Sequence, residues 1–187
     1  MENRHALFLV PPDEDYVREE RCQGSTEGLL IHSLRAPIDL ALNAAVLEER
    51  GWGCAIIDAN AEGMDRASSL RKMAAFAPDL VTLQTTAPTL NPDLDFIRDL
   101  KQLCPESTFL ARGADFNLHP EVALNRSTDL DLICFADPDH AFHVFGQNDC
   151  WHEVPGIAWR SGEKICVNSP AREPLPLDKL PLPARHL

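Results

Sequence analysis

Two groups of side chains in this sequence have the types and spacing to do chemistry. His140 and His143 stand three apart beside Asp137 and Asp139, with Cys150 and His152 a little further along. Imidazole and thiolate are metal donors, so the group could gather a cation. Acidic residues at a helix start are, however, already explained by capping and by the helix dipole. No second paired motif accompanies the histidines, so they are read as a solvated helix start and no metal ligands are assigned. Asp13, Glu14 and Asp15 could supply a carboxylate pair for acid–base work, but three acids in a row read more simply as a solvated loop. The six cysteines lie far apart without a C-x-x-C pair. Cys54, Cys134 and Cys166 fall inside apolar runs, which predicts buried, reduced thiols. No Ser-His-Asp or Cys-His set is suggested by spacing, and no catalytic residue is assigned.

The elements that must position any site alternate along the chain. His5–Val10 is a short apolar run closed by Pro11-Pro12, so it reads as a buried strand. From Pro37 to Arg50 apolar residues recur at helical spacing, with Pro37 suited to the start and Gly51 to the end. Cys54–Asp58 is a second strand, Met64–Phe76 a helix, Leu80–Leu83 a third strand and Leu90–Leu103 a helix stopped by Cys104-Pro105. Thr108–Ala111, a short helix over Pro120–Asn125 and the strand Leu130–Phe135 complete the alternation. Buried strands joined by helices need right-handed crossovers, which places helices on both faces of a parallel sheet. The expected class is α/β, a doubly wound parallel sheet of Rossmann-like or flavodoxin-like layout. Residues 13–28, charged and glycine-containing, read as a long mobile loop. Past about Gln147 the pattern becomes a β-hairpin, Gly156–Arg160 and Lys164–Val167, followed by prolines at 170, 174, 176, 181 and 183. The expected division is a domain over 1–147 and a hairpin with a proline-rich connector over 148–187.

In an open α/β sheet a ligand sits outside the carboxyl ends of the strands, near the switch in strand order. The residues to weigh are those that follow each strand: Pro11 to Asp15, Asp58 to Asn60, Gln84 to Pro88, Arg112 to Phe116 and Ala136 to Asp139. A dinucleotide site needs G-x-G-x-x-G directly after the first strand, where this chain has two prolines and three acids. No G-x-x-x-x-G-K-[ST] occurs, which removes a P-loop. A phospho-acceptor receiver needs Asp after the third strand and Lys after the fifth, where Gln84 and Ala136 stand.

Composition narrows the partners. The chain has 187 residues, 44% hydrophobic, with 17 basic against 29 acidic residues and a formal charge of −12. Scattered cations on an acidic surface argue against nucleic acid and anionic membrane. The apolar stretches fall short of the roughly 20 residues of a membrane span, and the first residues lack the apolar core of a signal peptide. A cytoplasmic protein is expected.

At the strand ends the sequence resembles the N-terminal cobalamin (B12)-binding domain of B12-dependent radical SAM proteins. The pieces follow in order: Leu7-Phe-Leu-Val-Pro-Pro12, the Pro-initiated helix Pro37 to Gly51, the strand end Ile56-Ile-Asp58 and Pro78 to Thr86. Gly113 to Glu121, Gly156-Ile-Ala-Trp-Arg160 and Leu180-Pro-Leu-Pro183 complete the series. The resemblance covers nearly the whole chain. It implies that cobalamin lies across the strand ends, with its nucleotide tail threading into the layer between sheet and helices. The cofactor-binding residues it points to are Pro11, Pro12, Gln84, Thr85, Thr86, Gly113, Ala114, Asp115, Ala136 and Asp137. Thr85, Thr86, Gly113 and Ala114 suit the role by size and hydrogen-bonding capacity. The only metal implied is the cobalt of the corrinoid.

The chain also departs from that family. The axial-histidine motif D-x-H-x-x-G is absent, Arg112-Gly113 replaces a Gly-Gly pair, and Ala136-Asp-Pro-Asp139 replaces Gly-Glu-Gly-Glu. No C-x-x-x-C-x-x-C occurs, so this chain carries no iron–sulfur cluster motif. The resemblance therefore implies a corrinoid platform that is not catalytic alone and that works with a radical SAM domain or subunit. The alternative is a degenerate copy of the fold that acts as an interaction or regulatory module without cofactor.

Overall fold

The computed structural model describes residues 4–12, 16–18, 23–25, 36–113, 116–117, 119–148 and 150–187. The strands are β1 His5–Val10, β2 Tyr16–Arg18, β3 Gln23–Ser25, β4 Gly53–Asp58, β5 Leu80–Gln84, β6 Thr108–Arg112, β7 Leu132–Cys134, β8 Ile157–Ser161 and β9 Lys164–Val167. The helices are α1 Ile38–Glu48, α2 Arg66–Ala75, α3 Leu90–Leu103, α4 Pro120–Arg126 and α5 Pro138–Asn148.

Seven strands form one sheet in the order β4-β1-β5-β6-β7-β8-β9, parallel from β4 to β7 and antiparallel at β8 and β9. Counted among the parallel strands alone, this is the 2-1-3-4-5 order of a flavodoxin-like sheet, with its switch point between β1 and β5. The doubly wound parallel sheet expected from the alternation is thus observed. The hairpin β8–β9 is part of the same sheet: Leu132, Ile133 and Cys134 pair with Trp159, Ala158 and Ile157.

Period-two alternation sends side chains to two cores. Leu7, Leu9, Val81, Leu83, Phe109 and Ala111 pack with Met73, Phe96, Ile97 and Leu124 on the α2–α3–α4 side. Ala6, Phe8, Leu80, Leu110, Leu132 and Cys134 pack with Leu40, Ala44, Leu47, Phe142 and Phe145 on the α1–α5 side. Asp65 caps α2 by accepting from the Ser68 amide at 2.7 Å, so the helix starts two residues after the Met64 expected from periodicity.

One expectation needs correcting. Within the segment read as a long mobile loop, Tyr16–Arg18 and Gln23–Ser25 pair antiparallel as a two-stranded sheet. Strands this short carry too few residues for period two to stand out in the sequence. Asp13, Glu14, Asp15 and Cys22 lie outside the described residues, as do Ala114 and Asp115.

The connector folds back over α1. Ala184 is buried, its amide donating to the Ala41 carbonyl at 2.9 Å, and His186 Nε2 lies 3.0 Å from Glu48 Oε1. Leu180 packs against the α1–α5 core, whereas Leu177 and Leu182 are 80% and 88% exposed.

Among the described residues no helix is long and apolar enough to cross a membrane.

Candidate functional site

Parallel pairing brings the ends of β1, β5, β6 and β7 to one edge, and with them eight of the ten candidate residues: Pro11, Pro12, Gln84, Thr85, Thr86, Gly113, Ala136 and Asp137. At the switch point Pro11 is buried and Pro12 half-buried. Proline has no N–H to continue the ladder, which ends β1 there. The Val10 carbonyl instead accepts from the Ala59 amide at 3.0 Å.

Thr85 is fully buried, and both its groups serve the chain itself. Its amide donates to the Arg112 carbonyl at 2.7 Å and its hydroxyl to the same oxygen at 3.3 Å. Thr86 Oγ1 is 3.2 Å from Thr89 Oγ1, which donates to Asp93 Oδ2 at 2.8 Å. Half-buried Thr86 leads into a short 3-10 turn ahead of α3.

Gly113 has φ +154°, and a Cβ there would stand 2.2 Å from the Thr85 carbonyl oxygen. The close approach expected at this glycine is therefore made by the neighbouring strand end. Asn117, with its amide nitrogen turned to its acceptors, bonds the carbonyls of Gly113 and Phe135, each at 3.1 Å. Asp137 is exposed, and its Oδ1 accepts from the amides of Asp139 at 3.0 Å and His140 at 3.4 Å, which fixes the start of α5. Ala136 is crowded by Gly156, where a Cβ would fall 2.3 Å from the Ala136 Cβ.

Two clefts flank this edge. One of about 280 Å³ lies beside Pro12, Asn60, Met64 and Arg66. The other, about 330 Å³, lies between Ala136, Asp137 and His140 on one side and Pro170–Pro174 of the connector on the other.

Beneath the edge, on the α1–α5 side, runs a buried polar cluster that sequence reasoning did not assemble. Arg112 is 7% exposed. Its guanidinium pairs with Asp39 in the first turn of α1 and donates to Gln84 Oε1 at 2.9 Å. Four residues along α1, fully buried Asn43 donates to Asp139 Oδ1 of α5 at 2.8 Å. Asn43 Oδ1 and the Thr82 hydroxyl, both buried, have no hydrogen-bond partner among the described residues. The sequence did hold a signal: Asp39 and Asn43, spaced i and i+4, are the polar pair on an otherwise apolar helix face.

The histidines do not converge on a common point. His143 Nε2 lies 2.8 Å from Gln147 Nε2, while His152 stacks on Trp159 at 4.9 Å. Burial holds the His143 imidazole below its usual value, helped by the charges of Lys179 and Arg50. Among the described residues no three His, Cys, Asp or Glu side chains lie close enough to hold a metal ion.

Among the described residues five cysteines are free thiols; Cys134 is buried as expected, whereas Cys54 and Cys166 are only partly buried. Burial pushes Cys54 up to about 12, with Glu48 adding to the effect, and Cys134 up to about 11. A thiol must ionise to attack a disulfide reagent. Cys54 and Cys134 should therefore stay unmodified by an aromatic disulfide in the native protein at pH 8 and react once urea unfolds it. Counting modified cysteines by mass before and after unfolding checks this, and rapid native modification of Cys134 would contradict it.

No protein-family model and no curated protein matches the sequence. Solved structures do match. The cobalamin-dependent S-adenosylmethionine radical enzyme OxsB, with aqua-cobalamin and S-adenosylmethionine bound, aligns over 98% of this chain with a TM-score of 0.72 at 14% identity. The same enzyme with aqua-cobalamin alone gives 0.71 at 14% identity, and its apo, selenomethionine-labelled form 0.68 at 13%. The likeness is one of fold. The resemblance read at the strand ends holds at that level, and the match takes in the β8–β9 hairpin and the connector as well as the parallel sheet. This chain spans 24% of the length of the enzyme it matches.

Proposed function

We propose that this chain is a corrinoid-binding domain that holds cobalamin across the carboxyl edge of its sheet and positions it for a radical SAM domain or subunit. The observation that carries the reading is the match of almost the whole chain to an enzyme solved with aqua-cobalamin bound. The edge suits the face of a corrin ring. Pro11, Pro12, Thr85, Thr86, Gly113 and Ala136 form a run of small residues, and Gln84 and Asp137 add polar groups that could meet the amide side chains around such a ring. Ala114 and Asp115, which follow Gly113 in the sequence, keep their place in the proposal. When bound, cobalamin supplies a cobalt centre for methyl transfer or an assisting redox role, while the protein's part is to bind and orient. The free thiols support a cytoplasmic setting.

The test is retention. Full-length chain mixed with hydroxocobalamin and desalted should carry corrin absorbance in stoichiometric amount, and a protein peak without it would remove the proposal. Its rival is the degenerate module without cofactor, which the buried Arg112–Asp39 pair under the edge favours, and which that second outcome would support.

The connector is the proposed route to the catalytic partner, and Leu177 and Leu182 are its contacts. Both are almost fully exposed on a segment pinned by Leu180 and Ala184. Replacing both by serine should change folding stability by no more than about 0.5 kcal/mol each, as for other exposed positions. Co-purification with the radical SAM partner should be lost, and unchanged co-purification would rule these leucines out.

A further inference from the structure

We propose that Asn117 is a positioning residue for the corrinoid edge, its side-chain amide holding the ends of β6 and β7 at the spacing on which a corrin ring rests. The proposal depends on the corrinoid reading above and adds a residue outside the set read from the sequence.

The argument begins where the ladder between β6 and β7 stops. Its last pair is Arg112 with Cys134. From there the two strands turn to other partners: the Arg112 carbonyl accepts from the Thr85 amide at 2.7 Å, and the Phe135 amide donates to the Gly156 carbonyl at 3.0 Å, on the β8 side. The next carbonyls, those of Gly113 and Phe135, are joined by a side chain instead. Asn117 Nδ2 lies 3.1 Å from each, so a single nitrogen spans the gap between the strand ends. A carboxamide nitrogen carries two hydrogens and can serve both oxygens at once, whereas a hydroxyl has one hydrogen and a carboxylate none.

The segment that carries Asn117 is itself fastened. Phe116 is 2% exposed within the α2–α3–α4 core, and its amide also donates to the Gly113 carbonyl, at 3.1 Å. Each clamped oxygen belongs to a peptide group that leads into a proposed cofactor residue, Ala114 after Gly113 and Ala136 after Phe135. Because the peptide is planar, holding its oxygen restricts the direction in which the next residue leaves. A ring seated on both segments gains from a spacing fixed beforehand, since a seat that must be ordered on binding costs affinity. Asn117 is exposed, so water replaces its bonds when they are lost. Its removal is therefore felt in ligand binding far more than in folding.

Equilibrium dialysis of aquacobalamin against the full chain and its Asn117→Ala, Asn117→Asp and Asn117→Gln variants tests this, with thermal unfolding of each protein alongside. Asn117→Ala and Asn117→Asp should each weaken binding by about tenfold or more, while the melting temperature moves by no more than about 4 °C. Asn117→Gln keeps both hydrogens and should bind within about threefold of the unaltered chain. The proposal is overturned if Asn117→Ala and Asn117→Asp also bind within about threefold of the unaltered chain, or if Asn117→Gln is as weak as Asn117→Ala. Weakening by Asn117→Asp alone would overturn it too, because the added charge and not the lost donors would then be the cause. If the unaltered chain binds no aquacobalamin, the corrinoid reading itself fails and takes this proposal with it.

Discussion

Replacing Asp39 by alanine is expected to destabilise the fold by about 3 kcal/mol, and replacing Arg112 as well to restore much of that loss. The sign follows from burial. The Arg112 side chain is 8% exposed and that of Asp39 23%, so the single substitution takes the paired carboxylate away from the more deeply buried of the two charges. The double substitution removes both members of the pair, and the cavity it leaves adds a penalty of its own. Urea unfolding of the single and double variants and the unaltered chain measures the cycle, with equal slopes required for the comparison. Additive effects would show that the pair carries no coupling of its own.

The second large effect is expected at Gly113. Its added Cβ would meet the Thr85 carbonyl oxygen at 2.2 Å and the Thr85 hydroxyl at 2.8 Å. Thr85 cannot give way, since it is fully buried and its amide is bonded to the Arg112 carbonyl. Overpacking against fixed backbone, added to an unfavourable φ, should make Gly113→Val destabilising by about 3 kcal/mol or more. Gly162 provides the control: its φ is +61°, but a Cβ there meets nothing within 4 Å. Gly162→Ala should therefore cost about 1 kcal/mol, the backbone contribution alone. Comparable losses at the two sites would mean that the strand ends of β5 and β6 are looser than their contacts imply.

These two predictions concern the part of the site that was hardest to read in sequence. The parallel sheet was legible because each strand is a short apolar run and each crossover a helix with a recognisable start or stop. α3 has the bounds its pattern suggests, Leu90 to Leu103. The shared edge was legible too, since the topology of a parallel sheet gathers strand ends without reference to any particular side chain. What the sequence concealed was three-dimensional pairing. Arg112 stood out only as a residue larger than the expected glycine, while its partner Asp39 lies 73 positions earlier, where it reads as an ordinary acidic first-turn residue. The meaning of Gly113 shifted for the same reason, because the backbone that approaches it belongs to Thr85, on the neighbouring strand. The β8–β9 hairpin was recognised as a hairpin, but its place on the edge of β7 depends on strand register, which local pattern does not fix.

The proposed corrinoid site at the carboxyl edge of the sheet is tested most directly by amide hydrogen exchange with and without aquacobalamin. Bound corrinoid should slow exchange in the peptides that contain Gln84 to Thr86 and Ala136 to Asp137, leaving the hairpin turn at Ser161 to Lys164 unchanged. Protection confined to regions away from the strand ends, or none at saturating aquacobalamin, would contradict it.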